Sequence, residues 1–348
     1  MSYKSEFASN NADLRAILDA VNTLPNAGGG NTDLEDALVE RTITEYTNDR
    51  ITSIGVGAFA YASQLISVCF PNVTNIANGA FASCSNLAAI SFPSLTNLGS
   101  NAFNYCSKLT SVDLPNLISA SAGAFGNCSA LTDVNLPNCE TIGVNAFGSC
   151  KALTTISLPK VIAIQNTAFL SCSNLVSADF LMADNVGNSA FANCSALTNI
   201  SIPRVIAIET YAFSKCTALT TIDLPSVTRI GTGAFTSCWA LTTVSTPAAL
   251  AIGSTAFSAC SSISTLDFPN VTAIGSKAFQ NCYRLSSLTL RANYLCKLSN
   301  SNAFTSTPYM GYSSYFSGTP HIYVPTSWLA SYRTAANWSY FSKYMVGI

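Results

Sequence analysis

Thirteen cysteines, one histidine and seventeen acidic residues are the side chains of this 348-residue chain that could do chemistry. Cysteine with histidine can hold a metal, paired thiols can exchange disulfides, and paired carboxylates can move protons. Each of these needs a particular spacing. Ten cysteines, from Cys84 and Cys106 through to Cys282, recur every 22 residues, and no two cysteines form a C-x-x-C. Equivalent cysteines in such an array lie side by side, so they read as buried thiols acting as small hydrophobes. Cys69, Cys139 and Cys296 stand outside the column without an assigned role. His321 is alone in an apolar run, His321-Ile-Tyr-Val-Pro325. Asp113, Asp179, Asp223 and Asp267 share one column with Ser91, Asn135, Ser157, Ser201 and Ser245, so adjacent units do not pair carboxylates. No H-E-x-x-H, G-x-S-x-G or phosphate-binding loop occurs. The expectation is a non-enzymatic protein without catalytic residues, metal or cofactor.

The elements that would position these residues follow from the same period. Ala-Phe pairs run from Ala58-Phe59 through Ala80-Phe81 to Ala278-Phe279 in steps of 22, and a further pair, Ala303-Phe304, comes three residues late. Leucine stands six residues after each Phe, as at Leu65 and Leu285, with Ile263 the exception. Proline usually stands twelve after, as at Pro71 and Pro269, and Leu181 and Arg291 break that column. The segment Leu109 to Leu114 has strand length and near-alternating apolar character. Proline then ends the ladder, the Ile-Gly step turns the chain back, and Ala-Phe-x-x-Cys is expected on a helical turn. One unit cannot bury its apolar side alone, whereas stacked units form a continuous core. The reading is a solenoid of eleven units, mainly β with short helical turns. Hydrophobic residues make up 49% of the chain, but they recur singly, and no run approaches the ~18 that a spanning helix needs.

The unit I-G-x-x-A-F-x-x-C-S-x-L-T-x-I-x-L-P resembles the BspA-like class of bacterial leucine-rich repeats over residues 54–290. His321 to Pro325, followed by Tyr332 to Trp338, is similar to the segment that closes many such arrays. The resemblance implies a solenoid used for adhesion or recognition. Similar arrays occur in prophage-encoded proteins of gut bacteria, and residues 1–30 resemble the start of tail-associated proteins that carry them.

The two ends differ from the array. Residues 1–50 hold nine acids and four bases, whereas the whole chain has a net charge of −1. Residues 1–24 contain an expected helix, capped by Asn10 or Asn11 and stopped by Pro25. Its seam, Leu14, Ile17, Val21 and Leu24, is spaced as a heptad for oligomerisation or attachment. A Gly-rich linker (25–31) and a capping unit (32–53) follow, with Val39 to Tyr46 an expected first strand. Residues 291–348 form a C-terminal cap rich in aromatics. Ile322 to Pro325 is its expected last strand and Thr326 to Tyr344 its expected helix. The Gly/Ser-spaced stretch from Tyr309 to Phe316 offers a binding tip of Tyr309, Tyr312, Tyr315 and Phe316.

A second candidate surface is the polar sheet face, made by Asp113, Asn135, Asp179, Asp223 and Asp267 beside threonines such as Thr110, Thr132 and Thr242. The near-neutral charge gives no case for nucleic acid or membrane. The expected partner is a surface glycan or surface protein of a bacterium, with a homo-oligomer or a larger particle joined through residues 1–24. The opening Met1-Ser-Tyr-Lys-Ser-Glu-Phe lacks signal-peptide features. The leading expectation is therefore a prophage tail or fibre component assembled in the cytoplasm and found on the virion. The alternatives are a secreted or cell-surface adhesin and a glycan-active enzyme with a cryptic C-terminal site.

Overall fold

The computed structural model describes residues 45–311 and 318–348. They fall in two compact units, residues 1–160 and 161–348, built from the same coil. One coil of the first unit shows the logic. Leu109, Val112 and Leu114 are buried while Thr110, Ser111 and Asp113 are exposed, and Ser111–Asp113 is a strand. After Pro115 the chain turns, buries Leu117 and enters a second strand of two residues, Ser119–Ala120. The expectation of one strand per unit missed this second one. The isoleucine of the Ile-Gly step lies inside it, as Ile142 does in Thr141–Ile142. The following glycine is needed because the coils come closest there. A Cβ on Gly143 would stand 2.7 Å from Ala122 N and from Ser121 C.

The third side of the coil holds the Ala-Phe pair, and it is not the helical turn that the sequence suggested. Residues two before and two after the Phe are left-handed, including Asn101 (φ 56°) and Tyr105 (φ 61°) around Phe103. Such φ values cost energy in non-glycine residues. Here they aim every second N–H along the array. Gly79, Phe81 and Ser83 donate to the carbonyls of Ser100, Ala102 and Asn104 in the next coil, at 2.9, 2.8 and 2.7 Å. The intervening residues close turns within the coil, as Ala82 N–H does on Gly79 O at 2.9 Å. A helix would turn all of these bonds inward and leave adjacent coils unjoined on this side.

In the first unit both strand columns pair in parallel with a 22-residue register. Glu45–Thr47 pairs with Ser67–Cys69, which pairs with Ala89–Ser91. Ser53–Ile54, Asn75–Ile76 and Asn97–Leu98 pair in the second column. The expected starting strand is thus present where described, with Tyr46 opposite Val68. A one-residue slip would exchange buried and exposed positions, so the repeated pattern fixes the register. The rings of Phe59, Phe81 and Phe103 stack with centroids 4.9 and 5.1 Å apart, close to the strand spacing. Phe70 and Phe92, at positions usually held by leucine, form a second stack at 5.5 Å.

The second unit repeats this arrangement and ends in a cap. Phe169, Phe191 and Phe213 stack at 5.1 and 5.3 Å. The late Ala303-Phe304 keeps its column: Phe279 and Phe304 stack at 5.4 Å, and the extra residues are absorbed partly before Lys297, which pairs with Ala273, and partly between that pair and Phe304. Ser287–Leu290 pairs with His321–Val324, which pairs in turn with Met345–Gly347. The expected last strand is therefore the penultimate one. The expected helix from Thr326 to Tyr344 is also broken, into a 3-10 turn (Thr326–Trp328), helix α1 (Leu329–Thr334) and a second 3-10 segment (Ser339–Tyr344). Two aromatic anchors explain the break. Tyr332 OH accepts from Cys296 N–H at 2.9 Å and Trp338 Nε1 donates to Cys296 O at 2.7 Å. A straight helix would not turn both rings onto one buried residue.

Among the described residues no helix is long and apolar enough to cross a membrane.

Candidate functional site

Ionised thiols would be nucleophiles or metal ligands. All thirteen are free, and twelve are buried, with Cys69 half-buried. Column thiols are more than small hydrophobes: nine of the ten point the S–H at the Phe carbonyl of the preceding coil. Cys84 Sγ lies 2.9 Å from Phe59 O, Cys106 Sγ 3.2 Å from Phe81 O, and Cys238 Sγ 3.1 Å from Phe213 O. Burial pushes Cys84, Cys128, Cys238 and Cys282 up to about 12. A thiol held neutral is neither a nucleophile nor a metal ligand. No cluster of three or more His, Cys, Asp or Glu that could hold a metal occurs among the described residues. His321 is half-buried against Tyr323, with ring centroids 5.7 Å apart.

The acidic column is split by the structure. Asn135 Nδ2 donates to Asp113 Oδ1 at 2.8 Å, so these two exposed residues form one polar pair. Asp267 is chelated by Arg291, with Nε–O and Nη2–O distances of 3.0 and 2.9 Å. The arginine that breaks the proline column thus has an ion-pair role. Asp223 lies opposite Ser245 and is exposed, while Asp179 lies opposite Ser201 and is half-buried. The threonines beside them are engaged internally. Thr132 Oγ1 donates to Thr110 O at 3.1 Å and Thr242 Oγ1 to Thr220 O at 3.0 Å, each joining a coil to the one before.

The proposed aromatic tip needs correction at Tyr309. Its ring is buried, edge-on to Phe304 and Tyr344 at 5.4 and 5.7 Å, and its OH donates to His321 O at 2.8 Å. Burial raises its pKa. The residue is the middle one of a proline-led 3-10 turn, Pro308–Met310, that tucks it into the cap. It is a core residue and does not offer its ring to a ligand. Tyr312, Tyr315 and Phe316 lie outside the described residues, as do Leu14, Ile17, Val21 and Leu24.

The sequence reading missed a shallow groove of about 420 Å³ in the first unit. Its floor is the second strand column, which the sequence had merged into a turn. Asn75, Asn97 and Ser119 occupy equivalent outward positions there, and Val56 and Ile118 stand exposed at its sides. The signal that could have found it is the pair Asn75 and Asn97, spaced 22 apart immediately before the buried Ile76 and Leu98.

The comparisons with known proteins agree with this architecture. A family model described as a BspA-type leucine-rich repeat region of six copies matches residues 51–176 and 184–310. A leucine-rich repeat protein of Bacteroides ovatus shares 21% identity at a TM-score of 0.50, over 87% of this chain and 92% of its own. A leucine-rich cell surface protein of Faecalibacterium prausnitzii shares 23% identity at 0.49, over 86% and 90%. The pneumococcal vaccine antigen PcpA shares 15% at 0.40, over 88% of each chain. Among curated proteins nothing matches.

Proposed function

The chain belongs to the BspA-type leucine-rich repeat family, and from that premise we propose that it is a non-enzymatic recognition protein. In this reading it binds a bacterial surface glycan or protein and serves as a tail or fibre component of a prophage particle. It assembles in the cytoplasm and acts on the virion, and residues 1–24 attach it to the particle or to further copies. One observation carries the recognition role. The buried columns and the hydroxyl and thiol ladders join coil to coil, while the outward strand positions vary from coil to coil. A scaffold that leaves its outward positions free to vary is suited to binding rather than to holding a rigid catalytic constellation.

The experiment uses full-length labelled protein on intact bacteria, with immunogold labelling of particles released from the organism that encodes it. Saturable cell binding and gold on tails are expected. Gold confined to the producing cell's surface replaces the particle role with that of a surface adhesin. Release of reducing ends from cell-wall or capsular glycans replaces the recognition role with an enzymatic one.

A further inference from the structure

The recognition reading leaves open which surface binds and what it takes. We propose that the groove on the second strand column of the first unit is a binding site for a neutral saccharide chain. This rests on the recognition reading and assigns it a place and a ligand class.

The groove differs from its surroundings in which polar side chains are already engaged. Most asparagines at the other corners of the first unit close the array on itself. Asn86 Nδ2 donates to Ser63 O, Asn116 Nδ2 to Pro93 O and Asn138 Nδ2 to Pro115 O, at 2.6, 2.9 and 2.8 Å. In the groove, Asn78 Oδ1 accepts from Ser100 N–H at 2.8 Å and Thr96 Oγ1 donates to Thr74 O at 3.0 Å. Asn75 and Asn97 differ: both are exposed and neither amide has a partner among the described residues. Each amide presents two donors and an acceptor. Their backbones lie opposite each other in one parallel ladder, so the amides repeat at about the 4.8 Å strand spacing. That repeat is comparable to one sugar unit of an extended chain. A side-chain amide matches a pair of neighbouring hydroxyls, which donate and accept in the same way.

The ligand class follows from what else lines the groove. It has no ionisable residue, so nothing there selects for or neutralises a charge. An anionic polymer would lose hydration without gaining a counter-charge. An extended peptide is disfavoured for a different reason. Strand addition needs an open edge, and Asn75–Ile76 is already paired on both sides, by Ser53–Ile54 and Asn97–Leu98. What remains is hydroxyl-rich and uncharged, with Val56 and Ile118 placed for the apolar faces of sugar rings. No aromatic ring lines the groove. Each site is therefore weak, and tight attachment needs many copies.

The test titrates full-length protein with neutral oligosaccharides (dextran, mannan and galactan fragments), with hyaluronate and polyglutamate as acidic controls, and with an uncharged random peptide. The double variant Asn75→Ala/Asn97→Ala is compared with Asn185→Ala/Asn199→Ala, two exposed asparagines of the second unit, with thermal melts confirming folding. At least one neutral fragment should bind about equally at low salt and in roughly 0.5 M NaCl, where the Debye length lies between ~3 and ~8 Å and charge-driven binding is screened. The groove variant should lose roughly tenfold in affinity, and the second-unit variant should bind normally. Binding of the acidic polymers or the peptide alone, or equal loss in both variants, overturns the proposal. Cell binding by protein that takes no neutral fragment overturns the groove and leaves the recognition reading standing. Groove-dependent fragment binding without cell binding supports the groove and removes that reading.

Discussion

The second strand column shows different chemistry in the two units on an unchanged backbone. In the first unit its outward positions are Ser53, Asn75, Asn97, Ser119 and Thr141; in the second they include Ala163, Ala207, Ala251 and Ala273, interrupted by Asn185 and Arg229. Beside the alanines stand exposed Ile162, Ile206 and Leu250, and Arg229 pairs with Glu209. The inward positions hardly change: Ile54, Ile76 and Leu98 in one unit and Ile164, Ile208 and Ile252 in the other are all buried. The difference teaches that the coil is specified from inside. Its stability comes from columns that both units share, and its outward chemistry can drift toward amides or toward alanine at little cost to folding.

If that is right, perturbing a shared column should damage both units alike. The largest effect comes from alkali. Buried thiols whose pKa rises from 9.0 to about 12 stay protonated in the folded chain, while the unfolded chain ionises. The unfolded state then binds fewer protons, so stability is complete below about pH 9 and is lost as pH climbs toward 12. Each such thiol contributes a slope of about 1.4 kcal/mol per pH unit across that window. Cys84 and Cys128 in the first unit and Cys238 and Cys282 in the second act together. Circular dichroism at stepped pH should show steep unfolding between pH 9 and 12. A flat profile to pH 12 would remove the buried-thiol column from the shared core.

Next in size are single ring deletions. Phe103→Ala in the first unit and Phe169→Ala in the second each remove a fully buried, stacked ring. Each should cost about 3–5 kcal/mol by urea denaturation. A loss in one unit with none in the other would break the claim that both are specified by the same columns.

The Phe, Cys and Leu columns could be read from the sequence because a 22-residue recurrence of bulky apolar residues has one physical use. The two-residue strands could not. Thr141–Ile142 is too short to show alternation, and the glycine after it reads as a turn. The left-handed positions were hidden too, since Asn101, Tyr105, Thr167 and Lys277 share no side-chain chemistry. What they share is the coil-to-coil bond made by their N–H or its neighbours. Tyr309 misled for a related reason: a tyrosine among glycines and serines reads as a tip, but its partners, Phe304 and His321 O, come from elsewhere in the cap. The groove was invisible because its floor was the strand that had not been recognised.

The cap sharpens the comparison by belonging to the second unit alone. Tyr332→Phe keeps the ring but removes the oxygen that accepts from Cys296 N–H at 2.9 Å. A buried donor left without a partner costs about 1–3 kcal/mol. Urea melts should register that loss as a lower midpoint. An unchanged midpoint would mean that water replaces the phenol and that the cap contributes less than its aromatic density implies.

The smallest predicted effect separates amides that hold the coil from amides that face a ligand, both within the first unit. Asn138 Nδ2 donates to Pro115 O at 2.8 Å, and Asn138 Oδ1 accepts from Lys160 Nζ at 2.7 Å. Asn138→Ala removes both bonds from a half-buried corner. Its carbonyl partner loses a donor that water replaces only in part, so a cost of about 1 kcal/mol is expected. Asn75 is exposed, and its side-chain amide has no hydrogen-bond partner among the described residues. Asn75→Ala should therefore leave the urea midpoint unchanged within about 0.5 kcal/mol, or raise it slightly by removing a residue with poor strand propensity. The two measurements share one substitution, one unit and one background, so the difference between them isolates engagement from residue type. Equal losses would mean that Asn75 supports the coil after all. Its repetition at Asn97 would then be structural, and the contrast between the two units would be one of stability rather than of binding.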